Sequence, residues 1–441
     1  MFILQVFTVA AMMVLGARFG GIFFGMAGGL GLAVLIFVFK VAPSSPPIDV
    51  MLIMLSVIVA ASTLQASGGM RYLVKVAEYL LRKNPNRITF VAPLVAYVFT
   101  FFSGTGNVLY NILPVIAEVA RGSGIRPERP VSISVIASQQ AITACPISAA
   151  TVAMVALLAP KGISLAGILF VSIPATLTGV LAGALLVNRI GKPLKEDPVY
   201  LDRLRNGLVE APTGVADLSF RDEPRQARLA VSIFLLGALM VVLMGTLPWL
   251  RPSLTAAGGK IIALSMTNAI EVIMLCTGAL IVMCCRVDVD AIISGSVFKT
   301  GAMGIVTVFG LAWMSNTLVH GNLKTVTDAI KDGISLYPWM FSFALFAISA
   351  LTHSQAATVA SVMPMGIALG IDPMILVGMF PAVCGYFLIP STGVLIAGVA
   401  FDSTGTTKIG KYVVNHSYMI PGLVTTTVSV ITGLLIVSLI A

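Results

Sequence analysis

Runs of apolar residues long enough to cross a bilayer recur from one end of this chain to the other, and no other feature constrains the fold so tightly. The first three cover residues 2–17, 21–39 and 48–66. About twenty apolar residues span the hydrocarbon as a helix, and a helix satisfies its own backbone where no water can. A chain of 441 residues that is 58% hydrophobic and 10% charged could not cover a water-facing surface, so lipid is its main solvent. The alternating ten-residue strands of an outer-membrane barrel are absent. Residues 1–17 have no basic stretch before them and no small-residue cleavage site, so they read as a retained first span and not a removable signal.

The order of the segments is as informative as their length. In residues 70–83, Tyr72, Leu73, Val76, Tyr79 and Leu80 fall on one side and Arg71, Lys75, Glu78 and Arg82 off it, the pattern of an interfacial helix. Residues 88–102 and 108–119 enclose Ser103-Gly104-Thr105-Gly106-Asn107. Each arm is short for a full crossing, which predicts a re-entrant helical hairpin over 88–121. Residues 131–143 and 147–158 flank Ala144-Cys145-Pro146. Proline lacks a backbone donor and disrupts the turn before it, which predicts a helix over 130–158 broken in mid-membrane. Residues 165–187 close a first repeat, 1–188, and residues 189–228 form a polar cytoplasmic linker loop.

The same order returns over 229–441. Spans 229–250, 261–284 and 300–319 precede an amphipathic segment at 323–335. A hairpin at 338–370 encloses Thr352-His353-Ser354-Gln355-Ala356, and a broken helix at 373–401 encloses Ile389-Pro390-Ser391-Thr392-Gly393. Residues 418–440 close the chain. Pro114 and Pro364 take matching places in the hairpins, as Pro146 and Pro390 do at the breaks. Each half crosses an odd number of times whether or not its hairpin spans, so the repeats are inverted. The expected fold is an all-α polytopic membrane protein with about ten transmembrane helices, two re-entrant hairpins and two broken helices.

Lysine and arginine orient it. With the N-terminus outside, most of the 27 basic residues face the cytoplasm. These are Arg18, the group from Arg71 to Arg87, Arg121, Arg126, Arg129, the linker group from Arg189 to Arg228, Arg286, Lys299, Lys408 and Lys411. The asymmetry puts both termini in the periplasm. The net charge of +9 is therefore a topology signal and not a nucleic-acid footprint. The five cysteines are odd in number, sit in apolar settings and lack metal-ligand spacing, so they read as small helix residues. No metal or cofactor is implied.

Irregular backbone at membrane depth survives only where protein buries it or a wet cavity meets it. The two tips and two breaks should therefore meet near the midplane. Each precedes a short helix whose unpaired amides and dipole attract anions. Two tips across a pseudo-two-fold axis give two cradles, one for each end of a dicarboxylate. Gly104 and Gly106 allow close backbone approach. Ser103, Thr105, Asn107, Ser354, Gln355, Thr358, Ser391 and Thr392 offer neutral donors, beside Pro146 and Pro390 at the breaks. No arginine sits in these elements, which favours release. Taken singly, each hydroxyl could equally glue helices together. Gln139, Gln140 and Thr143 precede the first break, and helical geometry prevents Gln139 and Gln140 from facing the cavity equally. His353 has three readings: a donor to a carboxylate, a proton carrier, or a structural residue. Glu271, near Asn268, is an ionisable group in a span but lies outside the tips and breaks, where a structural pair is the simpler account.

These residues resemble a family. The first tip, Leu113-Pro114-Val115-Ile116, Arg126-Pro127-x-Arg129-Pro130, Ser354-Gln355-Ala356-Ala357-Thr358 and Ser403-x-Gly405-Thr406-Thr407-x-Ile409-Gly410 are similar to the anaerobic C4-dicarboxylate transporters of proteobacteria. The likeness extends over the whole chain, including Ala66-Ser67-Gly68-Gly69 and Asn415-His416. It implies exchange of external fumarate, malate or aspartate for internal succinate across the bacterial inner membrane. It also implies elevator motion and, by analogy with such carriers, a homodimer. A sodium- or proton-coupled symporter is the main alternative, with break carbonyls as cation ligands. An intramembrane enzyme is a third reading. It has only a Ser103–His353 pair in its favour, since no HExxH pattern or paired membrane aspartates occur.

Overall fold

The computed structural model describes residues 1–19, 22–209, 225–255, 261–322, 337–389, 392–409 and 415–440. The chain is an all-α polytopic membrane protein. Among the described residues, eight helices are long and apolar enough to cross a bilayer, and the single sheet is a small hairpin, β1 (Ser253–Thr255) with β2 (Ile261–Ala263).

The first part runs α1 (Phe2–Phe19), α2 (Phe23–Ala33, extended by a π turn Val34–Val38), α3 (Ile48–Ala66) and α4 (Gly69–Lys83). One helix–tip–helix unit is α5 (Ile88–Ser103) with α6 (Leu109–Gly122). The first broken helix is α7 (Glu128–Ala144) with α8 (Ala149–Leu158), followed by α9 (Leu165–Val187) and a short α10 (Pro198–Arg205). Next come α11 (Arg225–Thr246), α12 (Met266–Cys285), α13 (Val289–Ser294), α14 (Ser296–Thr307) and α15 (Trp313–Gly321). The second helix–tip–helix unit is α16 (Phe341–Thr352) with α17 (Gln355–Ala368). The second broken helix is α18 (Pro373–Met379) with a 3₁₀ stretch Phe380–Phe387, then α19 (Gly393–Phe401), and α20 (Met419–Ile440) follows.

Local chemistry sets many of these ends. Ser148, Ser164 and Ser265 are extended N-caps whose hydroxyls accept from Thr151, Gly167 and Asn268 amides at 3.1–3.2 Å, as capping requires. Gly68 turns the chain from α3 into α4 with φ +80°, which only glycine adopts without strain. Cys145 is extended (φ −83°, ψ 124°) because Pro146 follows it, and that ends α7.

Three expectations change. The span expected at 261–284 begins at Met266. Ile261–Ala263 is a strand, because β-branched isoleucines suit extended backbone and Ser265 starts the helix. The linker expected to end at 228 gives way to helix at Arg225, since Arg225-Gln226-Ala227-Arg228 are good helix formers. Residues 374–388 are not one helix. They wind as 3₁₀ from Phe380, with non-helical backbone at Cys384 (φ −93°, ψ 26°). Pro381 offers no amide to the ladder, and the Gly385 amide instead donates to Ser349 Oγ at 2.8 Å. The segment expected at 323–335 lies outside the described residues.

Packing separates the helices into two groups. In one, α3 packs on α12 and α14, α1 on α2, α11 on α12, and α2 on the π turn Val308–Ala312. In the other, α5 packs on α7 and α16 on the 3₁₀ stretch, while α17 lies on α8 and α6 on α19. α9 and α20 form the spine of this second group. A Cβ on Gly179 would sit 2.1 Å from Ser429 Oγ, so small residues set that close approach. Glu271 stands in α12 near Asp49 at the start of α3.

The described part of the linker, to residue 209, is clamped to the second group. Arg129 donates to the Ile190 and Gly191 carbonyls at 2.9 Å, and Arg203 to the Ser403 carbonyl at 2.9 Å. Arg126 pairs with Asp197 and with Glu128. Burial pushes the Asp197 carboxyl up, but the Tyr200 amide and the Arg126 guanidinium outweigh it and hold it below the usual carboxylate range.

Candidate functional site

The two tips share one plan. Ser103 ends α5 and Thr352 ends α16. Their hydroxyls donate to the carbonyls of Thr105 (3.0 Å) and Ser354 (3.2 Å). The next residue in each is left-handed: Gly104 has φ +71° and His353 has φ +51°. Their amides donate back to Thr100 (2.9 Å) and Ser349 (3.0 Å). Thr105 and Ser354 follow as extended N-caps: Thr105 opens the 3₁₀ turn Gly106–Val108 that leads into α6 and accepts from the Asn107 amide (3.3 Å), and Ser354 opens α17 and accepts from the Ala357 amide (3.2 Å). Each tip thus stops one helix and opens another with a hydroxyl cap, leaving first-turn amides without intrahelical partners.

Both tips face one cavity of about 370 Å³, within the range of small-molecule sites. Ser103, Gly104, Thr105, Gly106 and Asn107 line it from the first tip, and His353, Ser354 and Gln355 from the second. Gln139 of α7 and Thr392, the N-cap of α19, complete the expected residues that line it. Thr143, Pro146 and Thr358 are buried and do not line it. Thr143 Oγ1 donates to the Gln140 carbonyl at 2.8 Å, and Thr358 Oγ1 to the Ser354 carbonyl at 2.8 Å. Gln140 turns away and donates to Thr426 Oγ1 at 3.0 Å. Pro390 and Ser391 lie outside the described residues.

Sequence reading missed several wall residues. Tyr110 stands one turn beyond the first tip, and Ser138 precedes Gln139. Ser138 Oγ bonds Thr100 Oγ1 at 2.7 Å and ties the first tip to α7. Tyr386 arrives through the 3₁₀ stretch, which helical periodicity does not foretell. The facing wall comes from α3 (Met54, Val57, Ile58, Ala61) and α14 (Val297, Thr300, Gly301, Gly304) and is apolar except for Thr300.

The cavity's electrostatics are neutral. No lysine, arginine, aspartate or glutamate lines it among the described residues. Both amide atoms of Gln139, Oε1 of Gln355 and Oγ1 of Thr392 are buried without hydrogen-bond partners. Gln355 Nε2 donates to the Gln139 carbonyl at 2.8 Å and meets Cys384 Sγ at 2.9 Å. His353 Nδ1 lies 3.0 Å from the Leu351 carbonyl. Ser103 Oγ is turned to the Thr105 and Thr100 carbonyls, not to His353, so the pair an enzyme reading would need is not formed. At the first break, the Ile142 and Thr143 carbonyls accept from Ser148 Oγ (2.5 Å) and Thr151 Oγ1 (3.2 and 3.3 Å).

The family model for anaerobic C4-dicarboxylate membrane transporters matches residues 1–441. The chain belongs to that family. It is 42% identical to the C4-dicarboxylate transporter DcuA of Escherichia coli K12 over 423 residues, which is 96% of each chain. It is 39% identical to DcuA of Wolinella succinogenes over 436 residues, 99% of each. The anaerobic C4-dicarboxylate transporter DcuB of Escherichia coli O6:H1 is 38% identical over 445 residues, 98% of each. These relatives are named transporters, not enzymes. Among solved structures, the YdaH transporter of Alcanivorax borkumensis superposes with a TM-score of 0.54 at 14% identity, covering 99% of this chain and 97% of its own. MtrF of Neisseria gonorrhoeae gives 0.51 at 13% identity, covering 92% and 84%. At such identity the likeness is one of fold alone, and it agrees with the family's multi-pass membrane character.

Proposed function

We propose that this chain is a secondary carrier of C4-dicarboxylates in a bacterial cytoplasmic membrane, exchanging fumarate, malate or aspartate for succinate by alternating access. The observation that carries the reading is the pair of matched tips facing one neutral cavity. Two hydroxyl-capped helix starts suit a molecule with a carboxylate at each end, because first-turn amides and the helix dipole favour anions. The absence of lysine and arginine from the described lining keeps the attraction moderate. A carrier needs that, since each turnover ends in release.

The matched packing pairs support two inverted repeats, and the lysine and arginine asymmetry of the sequence supports both termini in the periplasm. The uneven wall supports motion of one helix group past the other. Polar contacts come from the tips and breaks, while α3 and α14 present an apolar face with few hydrogen bonds to lose. The tip-bearing group would move as an elevator against α1–α3 and α11–α15, which would hold a homodimer together. At the first break, hydroxyls already hydrogen-bond the Ile142 and Thr143 carbonyls, which supports exchange over binding of a sodium ion at that break.

The test is fumarate/succinate exchange by the purified protein in proteoliposomes. Uptake that depends strictly on internal dicarboxylate supports antiport. Uptake into empty vesicles driven by a sodium or proton gradient supports symport instead. Failure to bind or exchange either acid refutes the substrate class.

A further inference from the structure

Buried polar atoms almost always find a partner, and each exception in a native structure calls for a cause. Gln139 is 4% exposed and Gln355 is 5% exposed. Both line the cavity. Gln139 Nε2 and Oε1 and Gln355 Oε1 have no partner. The orientation of the Gln355 amide is fixed by chemistry. Its nitrogen faces the Gln139 carbonyl at 2.8 Å, which can only accept, so its oxygen is the free end. Gln139 makes no side-chain hydrogen bond, so whichever way its amide is turned it leaves one acceptor open. Two unpartnered neutral acceptors, and the Gln139 amide N–H beside one of them, therefore sit on residues that line a cavity otherwise suited to anions.

An unsubstituted C4-dicarboxylate cannot satisfy the acceptors. Ionised succinate and fumarate carry acceptors at both ends and no donor. A hydroxyl or ammonium on the carbon next to a carboxylate supplies the missing hydrogen. We infer that Gln139 and Gln355 form a donor-reading pair, which selects dicarboxylates bearing a hydroxyl or ammonium at C2 over unsubstituted ones. This rests on the proposed transport of C4-dicarboxylates and adds the residues that would rank them. The physical basis is asymmetric discrimination. A site with buried acceptors penalises the analogue that lacks the donor, because the acceptors then stay both dehydrated and unpaired.

The test measures affinities of L-malate and succinate for the purified wild-type protein by competition against labelled succinate, then repeats it for Gln139→Met and Gln355→Met. Methionine keeps the length of the side chain and removes both amide atoms. The expected wild-type result is L-malate bound roughly tenfold more tightly than succinate. L-malate has one hydroxyl hydrogen, so the ratio should fall toward one in whichever of Gln139→Met and Gln355→Met removes the acceptor that takes it. The ratio of two ligands in one preparation does not depend on how much of a variant is folded. Equal affinities in the wild type overturn the selectivity, because water then serves the acceptors. So does a ratio equal to that of the wild type in both variants. Binding of neither acid by the wild type is a different result, and it overturns the transport reading beneath.

Discussion

Replacing His353 with glycine separates a functional imidazole from a structural one. His353 holds the left-handed position that glycine fills in the first tip, with φ +51° against +71° for Gly104. A non-glycine residue there costs about 1–2 kcal/mol, which glycine removes. Part of that gain, about 0.4–1 kcal/mol, is returned through the freer unfolded chain. The substitution also gives up the contact of Nδ1 with the Leu351 carbonyl at 3.0 Å and the contact of the ring with the Ile389 carbonyl. At about 0.5–1.5 kcal/mol each, the two losses slightly exceed the relief. The net change is a loss of about 1 kcal/mol, small for a partly buried side chain. Exchange should fall about tenfold, the scale of one charge-assisted hydrogen bond. Arg286→Gly is the control. Arg286 is also left-handed (φ +50°) but ends α12 away from the cavity, so stability should rise by about 0.5 kcal/mol with exchange unchanged. The assays are thermal melting in detergent and initial exchange rates in vesicles. Wild-type exchange by His353→Gly, or a stability loss above about 3 kcal/mol, would refute the reasoning.

Gly104→Ala and Gly124→Ala carry nearly equal strain, at φ +71° and +70°. A Cβ on Gly104 meets Ile147 at 3.3 Å whereas Gly124 faces open space. Both should lose about 1 kcal/mol on melting, and only Gly104→Ala should slow exchange, by separating the first tip from the first break. The Asp197 carboxyl is held below its unfolded range of about 3.9, so its contribution is present above that pH and disappears as pH falls through the lower folded value. Asp197→Ala should therefore lower the melting temperature at pH 7 and converge with the wild type in acid. Gly179→Val should destabilise by about 2 kcal/mol or more, because its Cβ would collide with Ser429 Oγ and the Thr425 carbonyl. Melting that matches the wild type would show that α9 and α20 can part.

Both tips were legible because glycine, hydroxyls and a break in the apolar run coincide there, and each of these has a local physical meaning. The first break was legible for the same reason, since Pro146 dictates the extended backbone at Cys145. The 3₁₀ winding around Cys384 was not. Pro381 signals a disturbance, but the kink also needs Ser349 from α16 to take the Gly385 amide, a contact 36 residues away in sequence. The choice between Gln139 and Gln140 was open for a similar reason. The helix puts them on different faces, and only the position of Thr426 on α20 shows which one turns away. The apolar wall of α3 and α14 carried no mark at all. Met54, Val57, Ile58 and Ala61 read as ordinary span residues, and their place at the cavity follows from tertiary packing.

Under the proposed elevator motion, that wall would link binding to movement. A site moving across a static partner must break and remake its contacts at every turn, so hydrogen bonds to the partner would act as a brake. Here Thr300 is the one hydrogen-bonding side chain from α3 and α14 at the described cavity lining. Gly301 and Gly304 leave the α14 surface low, and Ile58 packs tightly over Gly301, where a Cβ would lie 2.6–2.7 Å from its side chain. The polar groups proposed to hold a dianion therefore sit on the group that would travel, and the surface it would pass is smooth and neutral. Thr300→Asn tests this division. Asparagine can reach across and hydrogen-bond a tip, which should slow exchange while leaving dicarboxylate affinity within about twofold. Slower exchange with unchanged affinity assigns the wall to the moving step, whereas an equal loss of both places Thr300 among the groups that bind the ligand.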